Sequence, residues 1–398
     1  MKKFLQSLLW VFLCAASSLA QTPLRNVGPI VVDYESKSIP VRVSAGDQEL
    51  DRLARTVFGA HGRYRLVASG QAYDIRFAAA APTQVRLEIT KGNPAAPFGS
   101  ETVTGKNLRH ALLRAADVAV ERTNGLGLKG FFTARLAFIG ERTGKKEVYV
   151  SDLFLGEAKK LTGDNASALA PRWSPDGTKL LYTSFYRSGF PDIFQIDLSA
   201  NTRTTFVSFR GLNTGARFSP SGQQVAMILS GEGSQEVYVS NAQGRQVARK
   251  TRSSAAKASP AWSPDGGRLV FAMGDSSPQL HVIPAAGGTP TRLVAGYSYV
   301  AEPDWCRTDA NKIACTVRVS GGRYQIAVYD FRQGKATTVS ETPFEALMPS
   351  WLADGRHLVY TARSRTTSAL HILDTETGKS TQISPNDLAA MEANVWTP

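Results

Sequence analysis

The sequence predicts an α+β chain in which a small N-terminal α/β domain precedes a six-bladed all-β propeller closed by the C-terminal strand. Two observations predict it. The phrase Trp-Ser-Pro-Asp-Gly at 173–177 and 262–266 returns as Phe-Ser-Pro-Ser-Gly at 218–222, Trp-Cys-Arg-Thr-Asp at 305–309 and Trp-Leu-Ala-Asp-Gly at 351–355, and Trp396 ends the series. Successive aromatics lie 45, 44, 43, 46 and 45 residues apart, a period that suits four-stranded propeller blades and exceeds that of most helical repeats. Residues 21–132 lack this repeat and show helical periodicity instead.

At the N-terminus, Lys2 and Lys3 precede an apolar run at 8–13 and a small-residue stretch at 15–20, with Ser18 and Ala20 at the minus-three and minus-one positions. This pattern predicts a secretory signal peptide over 1–20 and a mature chain beginning at Gln21. Cys14 follows Leu13 rather than a small residue, so no lipid anchor is expected. No later stretch reaches the roughly 20 apolar residues of a spanning helix. The formal charge is +13; without Lys2 and Lys3 there are 44 basic and 33 acidic side chains, a net +11. Such a balance favours acidic partners. Nucleic acid is excluded by export and by the absence of a basic run interleaved with stacking aromatics.

Within 21–132, Leu50, Leu53 and Val57 share one face of a predicted helix at 47–58. Leu108, Leu112, Ala115 and Ala119 share a face of another at 106–123. Strands are predicted at 40–44, 63–67, 73–77 and 83–90. Ahead of them, Ile30, Val31, Val32 and Asp33 form a β-prone stretch. It is either the first strand of its own domain or an extended segment that adds to a partner's sheet edge. Gly-Leu-Gly-Leu-Lys-Gly at 125–130 matches the dinucleotide fingerprint by letter, but it follows a helix and precedes a strand, the reverse of what phosphate binding at a helix N-terminus needs. A flexible connection is the better account.

From 133 to 398 each repeat reads as short strands separated by turns. They fall at 135–140, then at 179–184, 192–197 and 203–207, and at 224–229 with 236–240. The series continues at 268–272 with 279–283, 312–317 with 325–330, and 357–362 with 370–374. In the repeated phrase Pro sets φ, Asp bonds nearby amides and Gly takes the positive φ that ends the turn. The aromatic wedges one twisted sheet against the next. A strand at 392–396 has no blade of its own, whereas the strand at 135–140 has no aromatic strand before it. The former is therefore expected to complete the first blade and remove the open edges.

Cys306 and Cys315 are nine residues apart across a predicted hairpin. They form either a structural disulfide or two buried free thiols; without CxxC spacing or further ligands they do not read as a metal site. Gly-Tyr-Ser-Tyr-Val at 296–300 lacks the last Gly of a nucleophile elbow. His61, His110, His281, His357 and His371 lack zincin spacing and local pairing in the sequence. The reading is thus a binding protein with no catalytic residues, cofactor or metal.

The domain order, Asn-Leu-Arg-His-Ala-Leu-Leu-Arg-Ala-Ala-Asp at 107–117, Gly-Phe-Phe-Thr-Ala-Arg-Leu-Ala-Phe-Ile at 130–139 and the Trp-Ser-Pro-Asp-Gly blades together resemble the TolB family. The resemblance implies a monomeric, non-enzymatic periplasmic adaptor of the Tol-Pal system that maintains the outer membrane during constriction. It implies that a segment at about 24–33, which includes Ile30, Val31, Val32 and Asp33, recruits a TolA-like inner-membrane protein. It further implies that a Pal-like lipoprotein docks at the propeller mouth, at positions matching Leu169, Thr214, Ser259, Glu302 and Met348. The competing expectation is a periplasmic propeller enzyme or a glycan- or peptide-binding receptor that uses the channel.

Overall fold

The computed structural model describes residues 37–187 and 189–398. The expected signal peptide and the segment at 24–33, with Ile30, Val31, Val32 and Asp33, lie outside the described residues.

The N-terminal unit runs β1 (Ile39–Ala45), α1 (Gln48–Ala60), β2 (Tyr64–Leu66), β3 (Tyr73–Ala81), β4 (Gln84–Lys91), β5 (Ala96–Thr104) and α2 (Leu108–Thr123). The sheet order is β2-β1-β3-β4-β5, with β1 parallel to both its neighbours and the remaining pairs antiparallel. Asp47 caps α1 by accepting the Glu49 and Leu50 amides, and Asn107 caps α2 by accepting that of His110; each satisfies amides that a helix start leaves open. Leu50, Leu53 and Val57 are buried as their spacing predicts. Strand β5 has no counterpart among the predicted strands. Its Pro, Gly and Ser give weak strand propensity, and it forms because β4 pairs with it from Gln84↔Thr104 to Lys91↔Ala96.

Six four-stranded sheets follow. Blade 1 holds β6 (Arg135–Gly140), β7 (Glu147–Asp152) and β8 (Lys159–Lys160). Blade 2 holds β9 (Ala168–Trp173), β10 (Lys179–Ser184), β11 (Asp192–Asp197) and β12 (Thr202–Val207). Blade 3 holds β13 (Asn213–Phe218), β14 (Gln224–Leu229), β15 (Glu236–Asn241) and β16 (Ala248–Arg249). Blade 4 holds β17 (Lys257–Trp262), β18 (Arg268–Met273), β19 (Gln279–Pro284) and β20 (Thr291–Arg292). Blade 5 holds β21 (Val300–Trp305), β22 (Lys312–Arg318), β23 (Tyr324–Asp330) and β24 (Lys335–Thr338). Blade 6 holds β25 (Glu345–Trp351), β26 (His357–Arg363), β27 (Ser368–Asp374) and β28 (Ser380–Gln382).

The final strand β29 (Met391–Trp396) joins blade 1 in the order β29-β6-β7-β8 and closes the ring. One detail differs from the repeat count. Val395 pairs with Leu136 as Trp173 pairs with Leu180, so Val395 holds the aromatic position and Trp396 stands one residue beyond it. The shift lets the Trp396 indole reach blade 2, where its Nε1–H donates to the Pro175 carbonyl at 2.9 Å beside the Trp173 ring.

The disulfide alternative is not realised: Cys306 and Cys315 are free and buried. Cys315 packs with Trp305 and Ile313, whereas Cys306 packs with Ala314 and Trp351. Alternation along the pleat therefore puts the two sulfurs on opposite faces of blade 5.

The N-terminal unit packs on blades 6 and 1 at the end of the ring where the Trp-Ser-Pro-Asp-Gly turns lie. It shares one apolar core with the propeller, in which Val57, Phe58, Leu112, Phe131 and Phe132 meet Leu352, Val359, Leu370 and Ile372. Arg109 of α2 bridges Asp152 of blade 1 at 3.1 Å. Arg356 pairs with Asp374 at 2.6 Å in a nearly dry site beside Gly62, where an added Cβ would strike Asp374.

Candidate docking face

The innermost strands set the geometry of the channel. Each carries a register shift against its partner, and at that point Ala170, Gly215, Ser259, Glu302, Met348 and Glu392 all take left-handed backbone, with φ of +50, +65, +52, +55, +54 and +56. Six equivalent bulges thus ring the channel near the end opposite the N-terminal unit. A bulge bends its strand and re-aims a side chain. Of the expected mouth residues, Ser259, Glu302 and Met348 occupy this ring. Leu169 and Thr214 sit one residue before it, and Thr214 Oγ1 meets Thr183 Oγ1 at 3.0 Å.

Ala170, Gly215 and Glu392 complete the ring and are not among the expected mouth residues. A constant offset of three residues before the aromatic would have found the first two. Glu392 was hidden because Trp396 does not mark its own register.

The inner strands expose backbone amides on their free edges, and side chains from the preceding blade satisfy them. Glu302 Oε2 accepts the Met348 amide at 2.9 Å and the Thr316 hydroxyl at 2.7 Å; Glu392 Oε2 accepts the Ala170 amide at 2.6 Å. Two residues further along, Asp304 accepts the Trp351 amide and Asn394 that of Trp173, each at 2.9 Å. Burial raises the acid pKa of both Glu302 and Glu392. Arg217 reaches across the channel to Asp304 at 2.6 Å, while burial lowers Arg172 to about 10. Glu302 is thus first a strut between blades, and its carboxylate is largely committed.

Two openings flank this layer. At the mouth, a crevice of ≈ 270 Å³ runs between blades 6 and 1, lined by Lys146, Met348, Thr361, Arg363 and Glu392 among others. At the other end, a cavity of ≈ 460 Å³ lies between the ring of Trp173, Trp262, Trp305 and Trp351 and the acidic residues Asp117 and Glu121 of α2. The N-terminal unit borders that cavity on one side, whereas none of its described residues lines the crevice at the mouth.

Two histidines distant in sequence meet at the seam between the units. Among the described residues, His61, Asp354 and His357 bring three possible ligand atoms within 4.8 Å of one another. Most lone pairs there are already in use. The Gly62 amide donates to His357 Nε2 at 3.1 Å, His357 Nδ1 lies 2.5 Å from Asp354 Oδ2, and the Arg63 amide donates to His61 Nδ1 at 3.2 Å. Burial first, then His357, Arg356, Lys379 and Arg63, pulls the His61 pKa well down. A neutral ring packed on Phe131 and Phe132 fits these surroundings better than a cation does.

The TolB beta propeller domain family matches residues 124–398. The chain belongs to this family. It is similar to the Tol-Pal system protein TolB of Desulfosudis oleivorans, with 39% identity over 127 residues, 32% of this chain and 28% of that protein. A Protein TolB homolog of Chlorobium luteolum is 30% identical over 200 residues, 49% of this chain and 44% of that protein. The aligned regions thus span less than half the length of these relatives. The crystal structure of TolB from Acinetobacter baumannii superposes with a TM-score of 0.80 at 23% identity, covering 90% of this chain and 96% of that one, so the two-unit architecture is that of a TolB fold.

Proposed function

We propose that this protein is a periplasmic adaptor of the Tol-Pal system that binds proteins and performs no bond chemistry. A Pal-like lipoprotein docks on the open mouth, and the segment at 24–33 recruits a TolA-like inner-membrane protein. The observation that carries this reading is the six-fold ring of bulges near the mouth, on a chain of the TolB propeller family whose N-terminal unit sits at the other end. Loops from successive blades converge there into one composite surface, which suits a folded partner better than a small ligand. No helix among the described residues is long and apolar enough to cross a membrane.

The test is titration of the mature protein with the soluble domain of the Pal-like lipoprotein from the same organism, watched by calorimetry. Saturable one-to-one binding supports the reading, and absence of binding at ~100 μM, a Kd weaker than an ordinary specific complex, sinks it. Repeating a TolA-domain titration with and without saturating lipoprotein then measures coupling between the two ends; equal affinities rule it out.

A further inference from the structure

Three of the large apolar side chains most exposed among the described residues lie on blade 2 at the mouth: Tyr186 at 50%, Phe190 at 59% and Phe209 at 51%. They belong to two loops, 185–191 between β10 and β11 and 208–212 between β12 and β13. One buried residue ties these loops together. Asn213 is fully buried; its Oδ1 accepts the Phe209 amide at 2.9 Å, and its Nδ2 donates to the carbonyls of Phe209 at 2.8 Å and Pro191 at 3.2 Å. The Asn213 amide also donates to Pro191 O at 3.1 Å. Phe190 and Phe209 are thus presented from backbones clamped to a common post, which lowers the entropy lost when a partner covers them. Tyr186 is held from beneath, with the Arg203 guanidinium 4.5 Å from its ring centre.

Isolated exposed apolar residues are ordinary, but three on adjoining loops of one blade mark an interface. The charge beside them defines the partner. Arg187 and Arg210 flank the aromatics, both are exposed, and neither has an ion pair with another described residue. Of the acids on the adjoining loops, Asp164 is paired with Arg203 and Glu232 with Arg249.

We propose that Phe190 and Phe209, flanked by Arg187 and Arg210, anchor a folded protein partner through an apolar side chain set within an acidic surface. This rests on the mouth being the docking face, and it places the anchor on the blade 2 rim, outside the bulge ring. The test titrates wild type, Phe190→Ser/Phe209→Ser and Arg187→Glu/Arg210→Glu proteins with the soluble Pal-like domain, with melting curves for each. The aromatic pair is expected to weaken binding at least about tenfold and the charge reversal at least about fivefold, at unchanged melting temperature; Phe209→Tyr retains wild-type affinity. Wild-type binding with both double variants within about twofold of it overturns the anchor and leaves the docking reading intact. Failure of the wild type to bind overturns both.

Discussion

Buried histidines make stability depend on pH. His61 is held below its ordinary pKa of 6.5 in the folded state, burial being the largest cause, and burial holds His371 at about 4. As pH falls below about 6.5 the unfolded chain takes up protons at these positions that the folded chain refuses, so stability is lost progressively down to the folded pKa values. His61→Leu should therefore melt less steeply with acid than wild type between pH 6.5 and 5, read as melting temperature against pH. Parallel curves would mean that His61 titrates normally. The Arg356–Asp374 pair is a second case at this scale: burial opposes its charges, yet His357 and Arg356 still hold Asp374 below the usual carboxylate range. Asp374→Ala strands a buried guanidinium and should cost about 3–5 kcal/mol, whereas replacing both partners with apolar residues should cost clearly less. Denaturant unfolding of the three proteins decides this.

At the scale of elements, ring closure depends on β29 and on the turn it covers. A chain ending at Leu388 exposes the inner edge of β6 and the apolar surface that Ala393 and Val395 cover. Its melting temperature should fall by at least about 10 °C, the size expected from losing several kcal/mol. Gly177 is a smaller test of the same seam. It takes φ +69, and an added Cβ would lie 2.3 Å from the Trp396 ring. Gly177→Ala should therefore destabilise by more than the roughly 1 kcal/mol of left-handed backbone strain alone, with part of the loss relieved by Trp396→Leu in a double-mutant cycle.

For the whole molecule, the net charge of +11 without Lys2 and Lys3, together with Arg187 and Arg210, which have no ion pair among the described residues, predicts electrostatic steering of an acidic partner. The association rate for the Pal-like domain should fall several-fold between 50 and 500 mM salt while the dissociation rate changes little, as stopped-flow fluorescence would show. A salt-independent association rate would argue that the mouth is not the face that meets an acidic surface.

Much of this architecture was legible in the chain. The recurring Trp-Ser-Pro-Asp-Gly phrase carries both its turn chemistry and its spacing, so blade number and closure by the last strand follow from local rules. The helix faces of Leu50, Leu53 and Val57 follow from periodicity in the same way. Tertiary structure alone decided what depends on partners remote in sequence. Strand β5 exists because β4 pairs with it, the two cysteines face apart because a pleat alternates, and His61 meets His357 because the N-terminal unit caps blade 6. The bulge ring was only half visible: left-handed backbone at Glu302 or Met348 has no residue signature, being imposed when six inner strands crowd round one channel and borrow hydrogen bonds from their neighbours.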